Sequence, residues 1–314
     1  MLVFRGISQP APSATVLTIG NFDGVHLGHR ALLARLCAVA GEAGLPPAVL
    51  TFEPHPREFF APESAPTRLS TLREKLELIA EDGVELAFVC RFDKAFASLT
   101  ADQFVEDVLV KALRVRHLII GDDFRFGARR AGDFALLQRA GESFGFRVEA
   151  MQSVLAGGVR VSSSAVRDAL WRGDIEHAAE LLGRPYVIDG RVVHGEKVGR
   201  QLGYATANIR MKHDRPPLLG VFAVEVTGLG GKPLPGVANL GYRPTANAVP
   251  RPILEVHLLD FAADIYGAHL TVRFLHKIRD EMKFSGFDEL KAQIARDVDA
   301  TLEYFHRRDA EAQR

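Results

Sequence analysis

The feature that most constrains this chain is a short apolar run, Thr15-Val16-Leu17-Thr18-Ile19, that breaks directly into Gly20-Asn21-Phe22-Asp23-Gly24-Val25-His26-Leu27-Gly28-His29. Leu32, Leu33, Leu36, Val39, Ala40 and Ala43 then recur at helical spacing. A buried strand, a tight turn and a helix are predicted. Such a turn aims free backbone N–H groups at whatever lies above it, and the helix dipole adds partial positive charge, so phosphate suits the place. Gly20, Gly24 and Gly28 let backbone approach closely. His26 and His29, at i and i+3, fall on one face if the helix starts near Val25. Taken alone, His-x-Gly-His also fits a helix N-terminus with two surface histidines.

From there the first half alternates. Residues 48–52 read as a strand, followed by a loop over 53–66 rich in Pro, Glu and Phe. A helix near 72–80, a strand near 86–89, a helix near 101–111 and a strand near 117–120 come next. After a Gly-rich turn come a helix near 134–142 and a strand near 147–150. This alternation predicts an α/β domain, a parallel sheet with helices on both faces and ligands beyond the C-terminal strand ends. From Tyr186 the pattern changes to short β-rich runs between Gly and Pro turns, at 187–188, 192–193, 221–226, 253–259 and 270–275. That is the pattern of an antiparallel barrel or sandwich, and a small antiparallel β-barrel is expected. A last helix carries Leu290, Ile294, Val298, Leu302 and Phe305, an apolar stripe expected to pack on the barrel. Two domains are expected, 1–185 and 186–314.

Lys+Arg and Asp+Glu balance at 39 each, which gives no electrostatic footprint for nucleic acid or an anionic membrane. The residues before Thr15 show no basic stretch leading into an apolar one, and no run of about 18 apolar residues occurs. A cytoplasmic protein without nucleic-acid or membrane partners is expected, its oligomeric state open. Cys37 and Cys90 are expected in the core, since no Cys/His spacing suggests zinc.

Taken whole, Gly20–His29 resembles the Gly-x-Phe-Asp-Gly-Val-His-x-Gly-His signature of prokaryotic FAD synthetases, within the nucleotidyltransferase superfamily. Val161-Ser162-Ser163-Ser164-Ala165-Val166-Arg167 is similar to that family's Ser-Ser-Thr-x-x-Arg motif, with Ser164 in place of Thr. On its own it is a set of hydroxyls ahead of a helix, with an arginine one turn along that could hold phosphate oxygens. Gly121 to Gly127 resembles the family's Gly-x-Asp-Phe-x-Phe-Gly loop; on its own it is a turn plugged by Phe124 and Phe126. The resemblance implies a Rossmann-like nucleotidyltransferase domain. Its ATP would be bound by Gly20, Phe22, Asp23, Gly24, His26, Gly28, His29, Asp123, Ser163, Ser164 and Arg167, with Asp123 near the triphosphate and a Mg²⁺ ion. His55 and Pro56, in a rigid Glu53-Pro54-His55-Pro56 turn, would lie on the flavin side. No P-loop and no nucleophile paired with a base is evident, so direct transfer of AMP from ATP to FMN fits, giving FAD and pyrophosphate. A phosphate monoester with a second pKa near ~6 is mostly dianionic at neutral pH and needs no general base.

The second half opens with Gly195-Glu196-Lys197-Val198-Gly199-Arg200-Gln201-Leu202-Gly203-Tyr204-Ala205-Thr206-Ala207-Asn208. If 205–209 is extended, Thr206 and Asn208 face one side and form a hard-oxygen corner for Mg²⁺. The stretch closely resembles the riboflavin kinase signature Gly-Arg-x-Leu-Gly-x-Pro-Thr-Ala-Asn. It implies ATP at Gly195, Gly199, Arg200, Gly203, Thr206 and Asn208, and phosphorylation of riboflavin to FMN. Ala205 stands where the signature has Pro, which leaves Thr206 less preset. A sugar-like hydroxyl is protonated at neutral pH and benefits from a carboxylate base. By resemblance that base is Glu255, which by itself would be a solvent-facing strand glutamate. Arg279 matches a position near the flavin. Two other readings remain at this stage, a chain with only the adenylyltransferase active and a flavin carrier without turnover.

Overall fold

The computed structural model describes residues 1–195, 204–211, 215–245 and 248–312, and the chain divides into two compact units, Met1–Ser163 and Ser164–Arg314. The signature stretch 196–203 lies outside the described residues, and with it Gly199, Arg200 and Gly203.

In the first unit, β1 (Leu2–Arg5), β2 (Thr15–Ile19), β3 (Pro47–Glu53), β4 (Leu86–Arg91), β5 (Val115–Gly121) and β6 (Arg147–Met151) form one sheet in the order β1-β4-β3-β2-β5-β6. Every pairing is parallel. The chain winds outward from β2 through β3 to β4, then returns to start again at β5 on the other side. The order therefore reverses between β2 and β5, the place where such sheets bind ligands. Successive residues point to opposite faces, and both faces are covered. Val16, Val49, Ala87 and Ile119 pack with Leu33, Leu36 and Val39 of the helix Leu27–Ala43. Leu17, Leu50, Phe88 and Leu118 pack with Phe104, Val105, Val108 and Leu109 of the helical stretch 101–112. Burial on both faces is why these strands read as continuous apolar runs. Strand β1, an exposed four-residue edge, had no such run to reveal it. A small hairpin, β7 (Leu155–Ala156) and β8 (Val159–Arg160), closes this unit.

The second unit begins with the helices Ser163–Arg172 and Ile175–Leu182, the first of which the unit boundary cuts after its first residue. Six strands follow: β9 (Tyr186–Val193), β10 (Thr206–Arg210), β11 (Gly220–Thr227), β12 (Leu234–Thr245), β13 (Ala248–Leu258) and β14 (His269–Arg279). They close into an antiparallel barrel in the order β10-β13-β12-β11-β14-β9. The two runs at 187–188 and 192–193 are one strand, because Asp189 and Gly190 continue the ladder with β14. Strand β12 was hidden by Pro235, Gly236, Gly241 and Pro244, which read as breakers. Gly236 is needed there, since a Cβ would meet the His257 carbonyl oxygen at 2.8 Å.

The terminal helix, Phe287–Ala312, packs on β11, β12 and β14 with Val298 and Phe305 of the expected stripe, but one member of that stripe is turned out. Leu302 is 37% exposed, whereas Asp297 and Thr301 are buried. The cause is an ion pair: Arg279 donates from Nε and Nη2 to the two Asp297 oxygens at 2.8 and 2.7 Å. Holding Asp297 against the barrel turns Thr301 and Phe305 inward and Leu302 out.

Candidate active sites

At the end of β2 the chain reverses through Phe22, Gly24 and Val25, all with positive φ. Phe22 is fully buried in the core under the helix Leu27–Ala43. Two of the motif's glycines make room for rings. A Cβ on Gly20 would lie 3.1 Å from the Phe22 ring, and one on Gly28 would lie 3.1 Å from two atoms of His26. Asp23 braces the turn. Its Oδ1 accepts the Leu69 and Ser70 N–H groups at 3.0 and 3.1 Å, and Oδ2 accepts Leu69 N–H at 3.2 Å. Ser70 Oγ in turn accepts the Gly24 N–H at 3.1 Å, and Ser163 Oγ donates to the Asp23 carbonyl at 2.9 Å. Asp23 is thus an internal fastening between segments 46 residues apart.

The helix begins at Leu27, two residues later than expected, and His26 is its N-cap. The His29 N–H donates to His26 Nδ1 at 3.3 Å, and the two rings stack with centroids 3.7 Å apart. His29 is held well below its ordinary pKa by burial first, then by the neighbouring His26 and Lys75 charges. It is therefore neutral at neutral pH, and its Nδ1 has no partner among the described residues. A neutral His29 near a helix N-terminus offers an N–H donor without placing a cation of its own next to a phosphate.

Further expected residues of this unit fall beyond the ends of β5 and β3. Asp123, beyond β5, is exposed, and its Oδ2 accepts from Arg160 Nη2 at 2.7 Å. Phe126 is buried and Phe124 packs against the same core. Beyond β3, His55 caps the short helix Pro56–Phe60, with Nδ1 accepting the Arg57 N–H at 3.1 Å and Pro56 in the first helical position. Arg68 clamps this corner through Glu53 and Glu58. Sequence reasoning missed what adjoins it. Phe59, Phe60 and Phe92 meet edge to face with centroids 5.2–5.6 Å apart, and Phe60 is 67% exposed. Only Phe59 and Phe60 are near His55 in the sequence; Phe92 arrives from the end of β4. On the helix Ser163–Arg172, Ser164 is exposed and Arg167 half-buried.

In the barrel, the register assembles a second site. Asn208 lies opposite Glu255 and Thr206 opposite His257 across β10 and β13, and Asn239 of β12 flanks Glu255 on its other side. Ala207, Ile209, Leu254 and Val256 point into the core. Their neighbours Thr206, Asn208, Glu255 and His257 therefore share the opposite face. A cavity of about 370 Å³ opens beside Thr206 and Asn208, lined also by Asp264 and Tyr266 but not by Glu255 or His257. Asn208 is buried, and its Oδ1 has no partner among the described residues. Gly195 packs so close that a Cβ would overlap the Asn208 amide. An orphaned amide oxygen two residues from a threonine hydroxyl suits a hard cation such as Mg²⁺. No cluster of three or more His, Cys, Asp or Glu able to hold a metal occurs among the described residues. Arg279 is engaged with Asp297 and with the Asp280 carbonyl.

Comparison with known proteins covers both units. The FAD synthetase family model matches residues 8–165 and the riboflavin kinase family model residues 182–305. An Escherichia coli K12 protein, the bifunctional riboflavin kinase/FMN adenylyltransferase, is 54% identical over 308 residues, covering 97% of this chain and 98% of that one. The protein of the same name from Haemophilus influenzae is 49% identical over 98% of this chain and 100% of its own. A crystal structure from Streptococcus pneumoniae, named a macrolide-efflux protein, matches with a TM-score of 0.84 at 30% identity, over 96% of this chain and 99% of that one. Among the described residues here, no helix is long and apolar enough to cross a membrane.

Proposed function

The chain belongs to the bifunctional riboflavin kinase/FMN adenylyltransferase family, and from that premise we propose which of its residues carry the two reactions. Riboflavin and ATP give FMN and ADP; FMN and a second ATP give FAD and pyrophosphate. The functional divide in this reading is 185/186, where the chain enters the barrel.

In adenylyl transfer an FMN phosphate oxygen attacks the α-phosphorus of ATP, and the bond to the pyrophosphate oxygen breaks. The dianionic nucleophile brings its own electron pair, so the protein's task is alignment and charge stabilisation. His26 and His29 donate N–H groups to the phosphates at the N-terminus of Leu27–Ala43. The family motif alone gives Ser164 and Arg167 an ATP-binding role. Gly20, Phe22, Asp23, Gly24, Gly28 and Ser163 shape the turn. Asp123 would exchange Arg160 for Mg²⁺, a swap eased by the small worth of an exposed ion pair. The flavin ring would stack on Phe59, Phe60 and Phe92, beside His55 and Pro56.

In the kinase reaction the riboflavin hydroxyl attacks the γ-phosphorus, its proton passes to the Glu255 carboxylate, and ADP leaves. Thr206 and Asn208 would hold Mg²⁺, which supplies charge neutralisation for the transferred phosphoryl group. Arg279 would act by fixing the end of β14 through Asp297. Working on ATP and flavins, the protein is assigned to the cytoplasm.

One observation carries the kinase assignment: the β10–β13 register that sets Asn208, which lines a cavity, against Glu255. The test is to supply riboflavin, ATP and Mg²⁺ and resolve FMN and FAD over time. Glu255→Gln should lose FMN formation by roughly 10²–10⁴-fold while still making FAD from supplied FMN. His29→Ala should accumulate FMN and form FAD roughly 10²–10³-fold more slowly. Equal loss of both activities in either folded variant would sink the assignment.

A further inference from the structure

Ala205 departs from the riboflavin kinase signature, and the barrel answers that departure from a neighbouring strand. Proline at this position would fix φ through its ring. Alanine fixes nothing, and Ala205 is exposed and lies just outside β10, which starts at Thr206. Yet the residue is held. His257 sits opposite Thr206 in the β13 ladder, and its Nδ1 lies 2.9 Å from the Ala205 carbonyl oxygen. A carbonyl can only accept, so that nitrogen carries the proton and donates. The Tyr204 ring meets the same imidazole edge-on at 5.4 Å between centroids, so the residue on the other side of Ala205 is gripped as well.

We infer that His257 is a positioning residue for the kinase: it pins the 205–206 peptide and thereby sets the Thr206 hydroxyl beside Asn208, supplying by a cross-strand hydrogen bond what proline supplies by ring closure. His257 acts on the backbone, and Thr206 and Asn208 remain the groups that face the cation. The inference rests on the proposed metal role of Thr206.

A double-variant cycle in the full chain tests it, using His257→Ala, Ala205→Pro and the pair. Two quantities are read, the Mg²⁺ dependence of FMN formation and amide hydrogen exchange across 204–208 in the metal-free protein. Loss of one hydrogen bond predicts that His257→Ala raises the half-maximal Mg²⁺ concentration by about tenfold and speeds exchange at 206 and 207, amides that the proline variant also carries. FAD formation from supplied FMN should stay unchanged. The decisive expectation is rescue: adding Ala205→Pro to His257→Ala restores both the Mg²⁺ dependence and the exchange protection to near the starting values. A double variant no better than His257→Ala, or unchanged exchange in His257→Ala, overturns the inference. Exchange at β11 and β14 reports whether the barrel is intact. Should His257→Ala unfold it, His257→Phe, which keeps a ring against Tyr204 but has no donor, carries the same cycle. Thr206→Ala separates the two levels. If it leaves the Mg²⁺ dependence unaltered, the metal reading fails, while exchange and its rescue by proline still decide the clamp.

Discussion

Replacing Asp23 by alanine should unfasten the adenylyltransferase unit rather than strip a contact from ATP. The carboxylate is 4% exposed and accepts the backbone N–H groups of Leu69 and Ser70 at 3.0 and 3.1 Å through Oδ1. Alanine leaves both donors without that acceptor. At about 1–3 kcal/mol for each unsatisfied buried donor, and with some relief from water entering the gap, the expected loss is about 3 kcal/mol. Asparagine keeps an acceptor where Oδ1 stands, losing charge but not geometry, and should cost about 1 kcal/mol. The assay is urea unfolding read by limited proteolysis of fragments from residues 1–163, paired with the KM for ATP in FAD synthesis. Asp23→Asn should keep its KM for ATP within about twofold while its unfolding midpoint falls, and Asp23→Ala should fall further. A tenfold or larger rise in KM for Asp23→Asn at unchanged stability would show that the carboxylate meets the nucleotide, and the fastening account would be wrong.

Further predictions concern the two histidines and the terminal helix. Because His29 is held below its ordinary value of 6.5, the unfolded chain binds a proton the folded one refuses. That residue's contribution to stability is fully present above pH 6.5 and lost as pH falls below it, so His29→Gln should flatten the acid limb of the stability–pH curve of the first unit. An unchanged limb would argue against a neutral buried His29. Gly28→Ala should slow FAD formation by pushing against His26 at 3.1 Å, whereas Gly41→Ala in the same helix, where a Cβ meets nothing within 4 Å, should stabilise by about 0.5–1 kcal/mol and leave both rates alone. Asp297→Ala strands the Arg279 guanidinium and should destabilise the barrel by about 3–5 kcal/mol, measured by urea titration of FMN formation. A loss under about 1 kcal/mol would mean that the pair does not seat the terminal helix.

The doubly wound sheet was legible because its physics is local. Val16 and Leu17 face opposite ways, and a strand buried on both sides must be apolar at each. The chemical residues clustered after strands, where a parallel sheet gathers ligands, and their motifs could be read in place. What stayed hidden depends on partners far along the chain. Asp23 reads as a ligand until residues 69 and 70 arrive to occupy it. Leu302 reads as part of a helical stripe, yet it is exposed while Asp297, paired with Arg279, is buried in the same helix. Phe92 completes an aromatic platform from another strand, and His257 reaches Ala205 across a ladder whose register no periodicity encodes. Strand β12 was obscured for the opposite reason, since its prolines and glycines imitate turns while Gly236 serves close barrel packing.

The most direct test of two separate centres in one chain is complementation in trans. His29→Ala and Glu255→Gln are each given riboflavin, ATP and Mg²⁺ alone, then mixed in equal amounts, and FAD is followed. The first should stop at FMN and the second should leave riboflavin untouched, while the mixture makes FAD as FMN released by one variant is consumed by the other. A mixture that forms no FAD, although both proteins are folded, would mean that the two reactions do not reside in independent sites.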